Sequence, residues 1–508
     1  MVSGVHTHDL VLTATGPVHS LDAEPKDRTL PQMIARRTPS KARQTRPASR
    51  AVALATALAV AALSLPARAQ TGANHGLPII RDAEIEQLLR DYTKPILRVA
   101  GLSDQNIHVV IINDRAFNAF VMDAHHIFVN AGALMETKTP NQLIGVFAHE
   151  TGHIVGGHLS KMRQELANAQ TTAIVAMLLG VGAVAAGARA GNVDMGNAGM
   201  AIFSAPQSYV MHSLLAYQRA QEDYADRAGV KFLTMTGQSA KGMYDTFKRF
   251  ADETMFESQY IDPYAQNHPM PQERMAALEH LVHTQYWDKK DPPELQFRHD
   301  MMRAKLYGYM DRPSEVLRRY PQSDNSLPAR YARAISTYRY GDLRDAIAHI
   351  DDLIRAVPND PYFYELKGQA LLEAGHAAEA IPPLRRAVQL APDPALIQMT
   401  LGQALIATDN PKMADEAIPL LHAALIKEPE SPEAYTQLAM AYGRKNDLAD
   451  ADLASAQAAF ARGEDKTARE LAERAKQRFP IGSPGWVKAD DIVAFNKNVK
   501  KNPLQIGQ

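Results

Sequence analysis

From residue 327 onward the chain repeats itself with a period of 34 residues, and no other feature constrains its fold as strongly. The residues that recur at this spacing are small or are prolines: Gly341 and Gly375, Ala346 and Ala380, Pro358 and Pro392. Small residues allow paired helices to touch, and a proline cannot continue a helix. Three residue types at one period argue against a generic helical bundle and predict stacked helix pairs.

Further copies follow the first two. The clearest copy carries the residues Tyr364, Gly368, Ala380, Ala387 and Pro392. The next copy contains a three-residue insertion around Asn410-Pro411, another begins at Pro432, and a helix from Lys466 to Arg478 ends the array. This is the tetratricopeptide pattern, and such repeats form a concave surface that usually binds peptide or protein. We predict an all-α tetratricopeptide-repeat solenoid over residues 296–485 and a C-terminal tail over residues 486–508.

The N-terminus has the order of a secretory signal peptide. Basic residues between Arg36 and Arg50 precede an uncharged stretch from Ala51 to Leu65, and Ala67-Arg68-Ala69 follows. Basic, then apolar, then A-x-A predicts cleavage after Ala69, with an uncleaved anchor helix as the alternative. We predict that Met33 is the true start, that residues 1–32 are superfluous, and that the mature protein lies in the periplasm of a Gram-negative bacterium.

Composition excludes several classes of site. The 508-residue chain has no cysteine, which rules out disulfides and thiolate metal ligands. Its formal net charge of −1 gives no indication of a nucleic-acid partner.

Residues 70–295 are predicted to form a mixed α/β domain. The β-branched run Ile107–Ile112 is typical of a buried strand, and Ala119–Met122 and His125–Val129 suggest a hairpin around an Asp123-Ala124 turn. A helix is predicted to begin at Thr139, because Pro140 stands at its first position and Gln142 completes a capping box.

That helix carries the motif His149-Glu150-Thr151-Gly152-His153, which is HExxH. Two histidines four residues apart share one face of a helix and can bind one Zn²⁺, while Glu150 is placed to take a proton from the attacking water. The alternative, a pair of solvated histidines, is disfavoured in so apolar a stretch.

A third ligand is expected downstream. His158 lies one residue short of the metzincin spacing, and helical geometry predicts that it points away from the motif histidines. Glu222 on a second helix completes a His₂Glu zinc site, and Asp226, one turn later, is placed to accept the outer N–H of a ligand imidazole. An acidic pair alone would suggest a solvated face, but an upstream HExxH favours ligation.

Between the two helices lies an apolar, glycine-rich insert over residues 171–200. Residues 171–188 carry no charge and just reach the length of a short membrane span. We predict a mobile apolar hairpin or lid near the active site, with peripheral membrane contact or a membrane span as alternatives.

Five segments in order resemble one known family. They are Asn118–Phe120 (NAF), His126–Leu134 (HIFVNAGAL), Phe147–His158 (FAHETGHIVGGH), Glu222–Gly229 (EDYADRAG) and Asn267–Met275 (NHPMPQERM). This set resembles the periplasmic tetratricopeptide metallopeptidases of the β-barrel assembly-enhancing protease family, which are related to HtpX and to the CAAX prenyl endopeptidases. The resemblance covers nearly all of the predicted mature chain. One departure is VMDAHHIF (121–128), where the family usually has glycines; we expect His125 and His126 to be solvated turn residues.

The resemblance implies an α+β gluzincin-type zinc peptidase domain followed by the solenoid. It implies zinc ligation by His149, His153 and Glu222, with Glu150 as general base. His268 matches a histidine that can approach the zinc and hold the enzyme latched, and Arg274 matches the arginine that follows. The implied function is an envelope endopeptidase that cleaves misassembled outer-membrane proteins. The alternative is a periplasmic chaperone or scaffold whose repeats hold outer-membrane assembly clients, in contact with the assembly machinery.

Overall fold

A computed structural model describes residues 78–158, 160–162, 164, 215–256, 263–408 and 410–495. The described residues from Ile79 onward belong to one compact unit. The predicted signal region 1–69, the insert 171–200 and residues 496–508 of the predicted tail lie outside the described residues. Within the described ranges, no helix has both the length and the apolar character needed to cross a membrane.

The catalytic half is built on a four-stranded mixed sheet in the order β1-β2-β4-β3. The strands are β1 (Ile79–Ile80), β2 (His108–Ile112), β3 (Ala119–Val121) and β4 (His126–Asn130). The β2 strand pairs in parallel with β4, whereas β1 and β3 pair antiparallel with β2 and β4. Side chains at the ends of β2 and β4, including Ile111 and Val129, are buried beneath the helices.

The predicted hairpin between β3 and β4 is confirmed. The Asp123 carboxylate accepts the backbone N–H groups of His125 at 2.7 Å and His126 at 2.8 Å, which closes the turn without glycine. His125 is exposed as expected. His126 is half-buried rather than fully solvated, and its ring lies 5.9 Å from that of Phe128.

The other regular elements of the described chain are helices. Those of the catalytic half are α1 (Ala83–Val99), α2 (Ala131–Glu136), α3 (Pro140–Gly156), α4 (215–235), α5 (Lys241–Phe256), α6 (Pro263–Asn267) and α7 (Gln272–Val282). Two connecting helices follow, α8 (Pro293–Met310) and α9 (Pro313–Arg319). The repeats are α10 (Leu327–Tyr340), α11 (Leu343–Ala356), α12 (Pro361–Glu373), α13 (Ala377–Leu390), α14 (Ala395–Ala407), α15 (Pro411–Lys427), α16 (Pro432–Arg444), α17 (Leu448–Ala461), α18 (Asp465–Arg478) and α19 (Pro484–Ala494).

The paired helices of the repeats follow the 34-residue period. The recurring alanines Ala346 and Ala380 are fully buried at helix contacts, as their small size predicts. The insertion at Asn410-Pro411 lengthens one helix: α15 has 17 residues where its counterpart α13 has 14, a difference of three. Asn410 caps this longer helix by accepting a hydrogen bond from the backbone of Lys412.

The predicted boundaries need two corrections. The boundary between residues 295 and 296 falls inside α8, and one hydrophobic core continues from the sheet to Phe363 of the second repeat. Residues 486–494 of the predicted tail belong to α19, whose Ala489 is buried against Leu453 and Ala472. A solenoid exposes the apolar side of its last repeat unless another helix covers it, and α19 provides that cover.

Candidate metal centre

The HExxH helix α3 begins as its sequence predicts. The Thr139 hydroxyl accepts the N–H of Gln142 while the Gln142 side chain accepts the N–H of Thr139, so the capping box is complete. The helix ends at Gly157, whose φ of 62° is a left-handed conformation that glycine adopts without strain. His149 and Glu150 are fully buried in the middle of this helix.

Small residues bring the second ligand-bearing helix, α4, close to α3. A Cβ atom at Gly152 would lie 2.9 Å from the Cα and carbonyl oxygen of Ala225, so only glycine fits there. Similarly, a Cβ at Gly229 would lie 3.2 Å from the backbone nitrogen of His149. Because the two backbones approach this closely, the side chains of Glu222 and Asp226, one turn apart on α4, reach His149 of the HExxH motif.

The predicted donor atoms have the spacing of a tetrahedral zinc site. His149 Nε2 lies 3.1 Å from His153 Nε2 and 3.3 Å from Glu222 Oε2, and His153 Nε2 lies 3.5 Å from Glu222 Oε1. A tetrahedron with metal–ligand distances of about 2.0–2.1 Å has edges of about 3.3–3.4 Å. The three measured edges bracket that value, so one ion fits between these side chains without rearrangement.

The surroundings of these donors also suit a metal. Asp226 Oδ1 lies 3.0 Å from His149 Nδ1, which leaves Nε2 free to bind an ion. Both oxygens of Glu150 are buried and accept no hydrogen bond from the described residues. A buried carboxylate of this kind needs a hydrogen-bond partner, and a water beside the metal ion would supply one. The residues therefore fit zinc.

His158 was expected to point away from the motif, and that expectation is wrong. Its Nδ1 lies 2.9 Å from Nδ1 of His153, and the residue is buried. The left-handed turn at Gly157 breaks the helical phase and folds His158 back onto α3. His158 is not among the clustered donor atoms; it holds the outer nitrogen of His153. The consecutive glycines Gly156 and Gly157, which are typical of a helix end, were the sequence signal for this contact.

His268 also enters the site. Its Nδ1 lies 3.3 Å from His149 Nε2 and 3.1 Å from each oxygen of Glu222. One donor atom from each of these residues and from His153 lies within 4.8 Å of all the others. The imidazole thus stands at the fourth corner of the donor set, and its Nε2 lies 3.4 Å from Oε1 of Glu150.

Arg274 ties the His268 loop to α4. Its guanidinium donates two hydrogen bonds to Asp226, at 2.7 and 2.8 Å, and lies 2.9 Å from Glu222. It also donates to the carbonyl oxygen of Pro269, directly after His268. One buried cation therefore pairs with two buried carboxylates and fixes the loop that delivers His268.

The electrostatics of the site separate its two glutamates. Burial raises the pKa of Glu222, but His268, His149 and Arg274 outweigh burial and hold that pKa well below its usual range. Burial is the dominant influence on Glu150 and raises its pKa. Divergent pKa values in neighbouring carboxyl groups indicate different roles: Glu222 suits an ionised ligand, and Glu150 suits a proton acceptor.

The two motif histidines differ as well. Burial lowers the pKa of His153 well below its usual range. Burial also lowers the pKa of His149, but hydrogen bonds to Asp226 and Glu222 outweigh it and raise that pKa to about 9. Of these two acceptors, Asp226 lies at the outer nitrogen Nδ1 and favours a proton there, the tautomer that ligation through Nε2 requires.

Comparison with known proteins agrees with this geometry. Residues 80–282 match the model of Peptidase family M48, and residues 331–395 match a tetratricopeptide-repeat model. Residues 80–282 thus form a peptidase domain of family M48. The chain is 23% identical over 424 residues to the beta-barrel assembly-enhancing protease of Yersinia pestis, and the match covers 80% of this chain and 82% of the relative. The protein of the same name from Escherichia coli K12 is 23% identical over 416 residues, with the same coverage.

The metalloprotease LoiP of Escherichia coli K12 is 27% identical over 194 residues, and the match covers 36% of this chain and 68% of LoiP. The predictions of an α+β zinc peptidase domain and a tetratricopeptide-repeat solenoid are confirmed. So are the predictions of a metalloprotease and of zinc as its metal. The structure brings together every residue predicted for the site: His149, Glu150, His153, Glu222, Asp226, His268 and Arg274.

Proposed function

We propose that this protein is a zinc endopeptidase of the bacterial cell envelope that hydrolyses misfolded or misassembled outer-membrane proteins. His149, His153 and Glu222 bind the ion, and Glu150 is the general base. The observation that carries this assignment is the set of three donor edges between 3.1 and 3.5 Å beside the buried carboxylate of Glu150, which accepts no hydrogen bond from the described residues. Bound zinc would polarise the scissile carbonyl and increase the acidity of the attacking water.

The residues of this chain divide the remaining work. Glu150 accepts a proton from water and can return it to the leaving amine, since burial raises its basicity. Asp226 holds the ring of His149, and His158 holds the ring of His153. Arg274 keeps the buried side chains of Glu222 and Asp226 ionised.

The substrate and the compartment rest on the relatives and on the sequence. Two relatives that share most of their length with this chain are called beta-barrel assembly-enhancing proteases. The predicted signal peptide supports a periplasmic location. The repeats offer a surface for protein clients and, we propose, for the outer-membrane assembly machinery.

A comparison of folding states tests this proposal. Purified full-length protein is incubated with an outer-membrane β-barrel protein, either unfolded from urea or folded in detergent micelles. We expect cleavage of the unfolded form alone, and we expect the Glu150→Gln variant to cleave neither form. Equal cleavage of both forms would contradict a quality-control role, and no cleavage of any protein or peptide would contradict the peptidase assignment.

The second candidate function is a chaperone or scaffold with latent peptidase activity. The observation that favours it is His268, whose Nδ1 stands at the fourth corner of the donor set where water would otherwise bind. Suppression of aggregation of an unfolded β-barrel protein by the Glu150→Gln variant would support this function independently of hydrolysis.

His268→Ala is expected to increase proteolysis by about three- to tenfold, because removing a group that blocks the fourth position raises the fraction of competent enzyme. Zinc content should stay unchanged, since the three protein ligands remain. The measurement is the initial rate on a fluorogenic peptide, with metal content by mass spectrometry. His283→Ala is the matched control, because that exposed histidine stacks on Trp287 and does not contact the donor set.

Two outcomes would contradict the latch. Loss of activity with zinc retained would make His268 a catalytic group that stabilises the developing oxyanion. An unchanged rate with an unchanged metal environment would leave His268 without a role in the site.

A further inference from the structure

One face of α8 holds the chain segment that leads into the HExxH helix. Side chains spaced by three or four residues share a face of a helix, and four of them on α8 donate hydrogen bonds to backbone carbonyls. Gln296 donates to Lys138 at 3.0 Å, and His299 donates to Thr137 at 2.8 Å. Arg303 and Tyr307 both donate to Met135, each at 3.0 Å. We call these four side chains the α8 clamp.

The central bond of the α8 clamp is fixed by chemistry. His299 is fully buried, and burial lowers its pKa to about 4, so the ring is neutral. The carbonyl of Thr137 can only accept, which puts the proton on Nε2 of His299. Nδ1 then accepts the hydroxyl of Tyr92, 3.0 Å away on α1. This single tautomer links three elements and leaves no polar atom of the ring unpaired.

The clamped carbonyls lie directly before the metal-binding helix. Met135 is in the last turn of α2, where carbonyl groups lack partners within the helix. Lys138 donates its N–H to Gln142 of α3 at 2.6 Å while its carbonyl is held by Gln296. His149 lies ten helical residues, or about 15 Å, beyond Thr139, which is the N-cap of α3. A shift of this segment would therefore move the zinc ligands.

A second face of α8 packs on the first repeat. A Cβ atom at Gly308 would lie 2.8 Å from the carbonyl oxygen of Ala332 on α10, so the two helices are in backbone contact. Nearby, Lys305 is buried between Asp82 at 2.7 Å and Glu84 at 3.1 Å, at the start of α1. Helix α8 is thus held rigidly between the repeats and the catalytic half.

We propose that the α8 clamp positions the HExxH helix for catalysis, so that the first repeat sets the geometry of the metal site rather than only capturing clients. This inference rests on the proposed peptidase function. His299, Arg303 and Tyr307 are positioning residues, since none of them contacts the donor set. Misplacement of reacting groups by about 1 Å lowers rates by up to about 10²-fold, so small shifts at Thr137 have measurable effects.

The test uses full-length protein with Arg303→Met/Tyr307→Phe, His299→Leu and the conservative His299→Gln, whose amide can still donate to Thr137. Turnover is measured on a short fluorogenic peptide, and the metal environment by the visible spectrum of Co²⁺-substituted protein. We expect kcat to fall about tenfold in the first two variants, with KM changed less than twofold and the cobalt bands shifted. His299→Gln should recover most of the wild-type kcat and spectrum.

Tyr364→Phe is the matched control, because it removes a tyrosine hydroxyl that donates to the Pro358 carbonyl at 3.0 Å within the second repeat. Thermal unfolding shows whether each variant is folded; if His299→Leu is not, the double variant carries the test. Wild-type kcat and cobalt spectra in the folded variants would overturn the proposal, as would an equal loss in the control. An inactive wild-type protein would refute the proposed function instead, and the cobalt spectra would still test the clamp.

Discussion

Glu150→Gln is expected to lower kcat for peptide hydrolysis by about 10²- to 10⁴-fold, the usual contribution of a general base, while zinc stays bound. The side chain is fully buried, and its oxygens accept no hydrogen bond from the described residues. Glutamine has the same shape and fits the same space, but it cannot take a proton from water. The measurement pairs kcat on a fluorogenic peptide with zinc content by mass spectrometry.

Glu279→Gln provides the control for this prediction, since Glu279 is exposed on α7 and should be replaceable without loss. Residual activity above about one tenth of wild type in Glu150→Gln would remove Glu150 from the role of base. Loss of zinc together with activity would make Glu150 part of the metal-binding set instead.

Glu222→Ala is expected to lower zinc affinity by more than about 100-fold and to abolish hydrolysis, because substitution of outer partners alone already costs about 10- to 100-fold. The carboxylate supplies one of three donors, and its negative charge is held ionised by His268, His149 and Arg274. Zinc affinity is measured by competition with a chromogenic chelator at fixed pH.

Asp226→Ala is the graded comparison for Glu222→Ala. Asp226 lies on the same face of α4 but contacts the outer nitrogen of His149, so its loss should weaken zinc binding by about 10- to 100-fold without preventing it. Equal losses in the two variants would contradict the division between ligand and supporting residue. Tight zinc binding by Glu222→Ala would show that the third ligand lies elsewhere.

Much of the metal site follows from local sequence rules. The spacing of His149 and His153, together with the capping box at Thr139, places both imidazoles on one face of a helix before any tertiary contact is known. Asp226 follows from its position one turn after Glu222. The pairing of Glu222 with a motif some 70 residues upstream was inferred from the chemistry of a His₂Glu site and supported by the resemblance to a family, because periodicity within α4 does not specify which helix faces it.

The contacts that local sequence patterns did not predict are those made across breaks in regular structure or between distant helices. His158 returns to the site through the left-handed Gly157, whereas straight helical phase would send it away. The link from His299 to Thr137 spans 162 positions and depends on the packing of α8, which no local pattern encodes. The length of the repeats was predictable, but their shared core with the sheet was not, since the 34-residue period describes only contacts within the array.

The central claim, a zinc peptidase with one metal site, is tested most directly by metal titration. Full-length protein is stripped with a chelator, dialysed, and titrated with Zn²⁺ while hydrolysis of a fluorogenic peptide is followed. We expect the metal-free protein to be inactive and its activity to rise linearly to a plateau at one equivalent of zinc, with no recovery in Glu150→Gln despite the same binding stoichiometry. Full hydrolysis by the metal-free protein would contradict the assignment of a zinc peptidase.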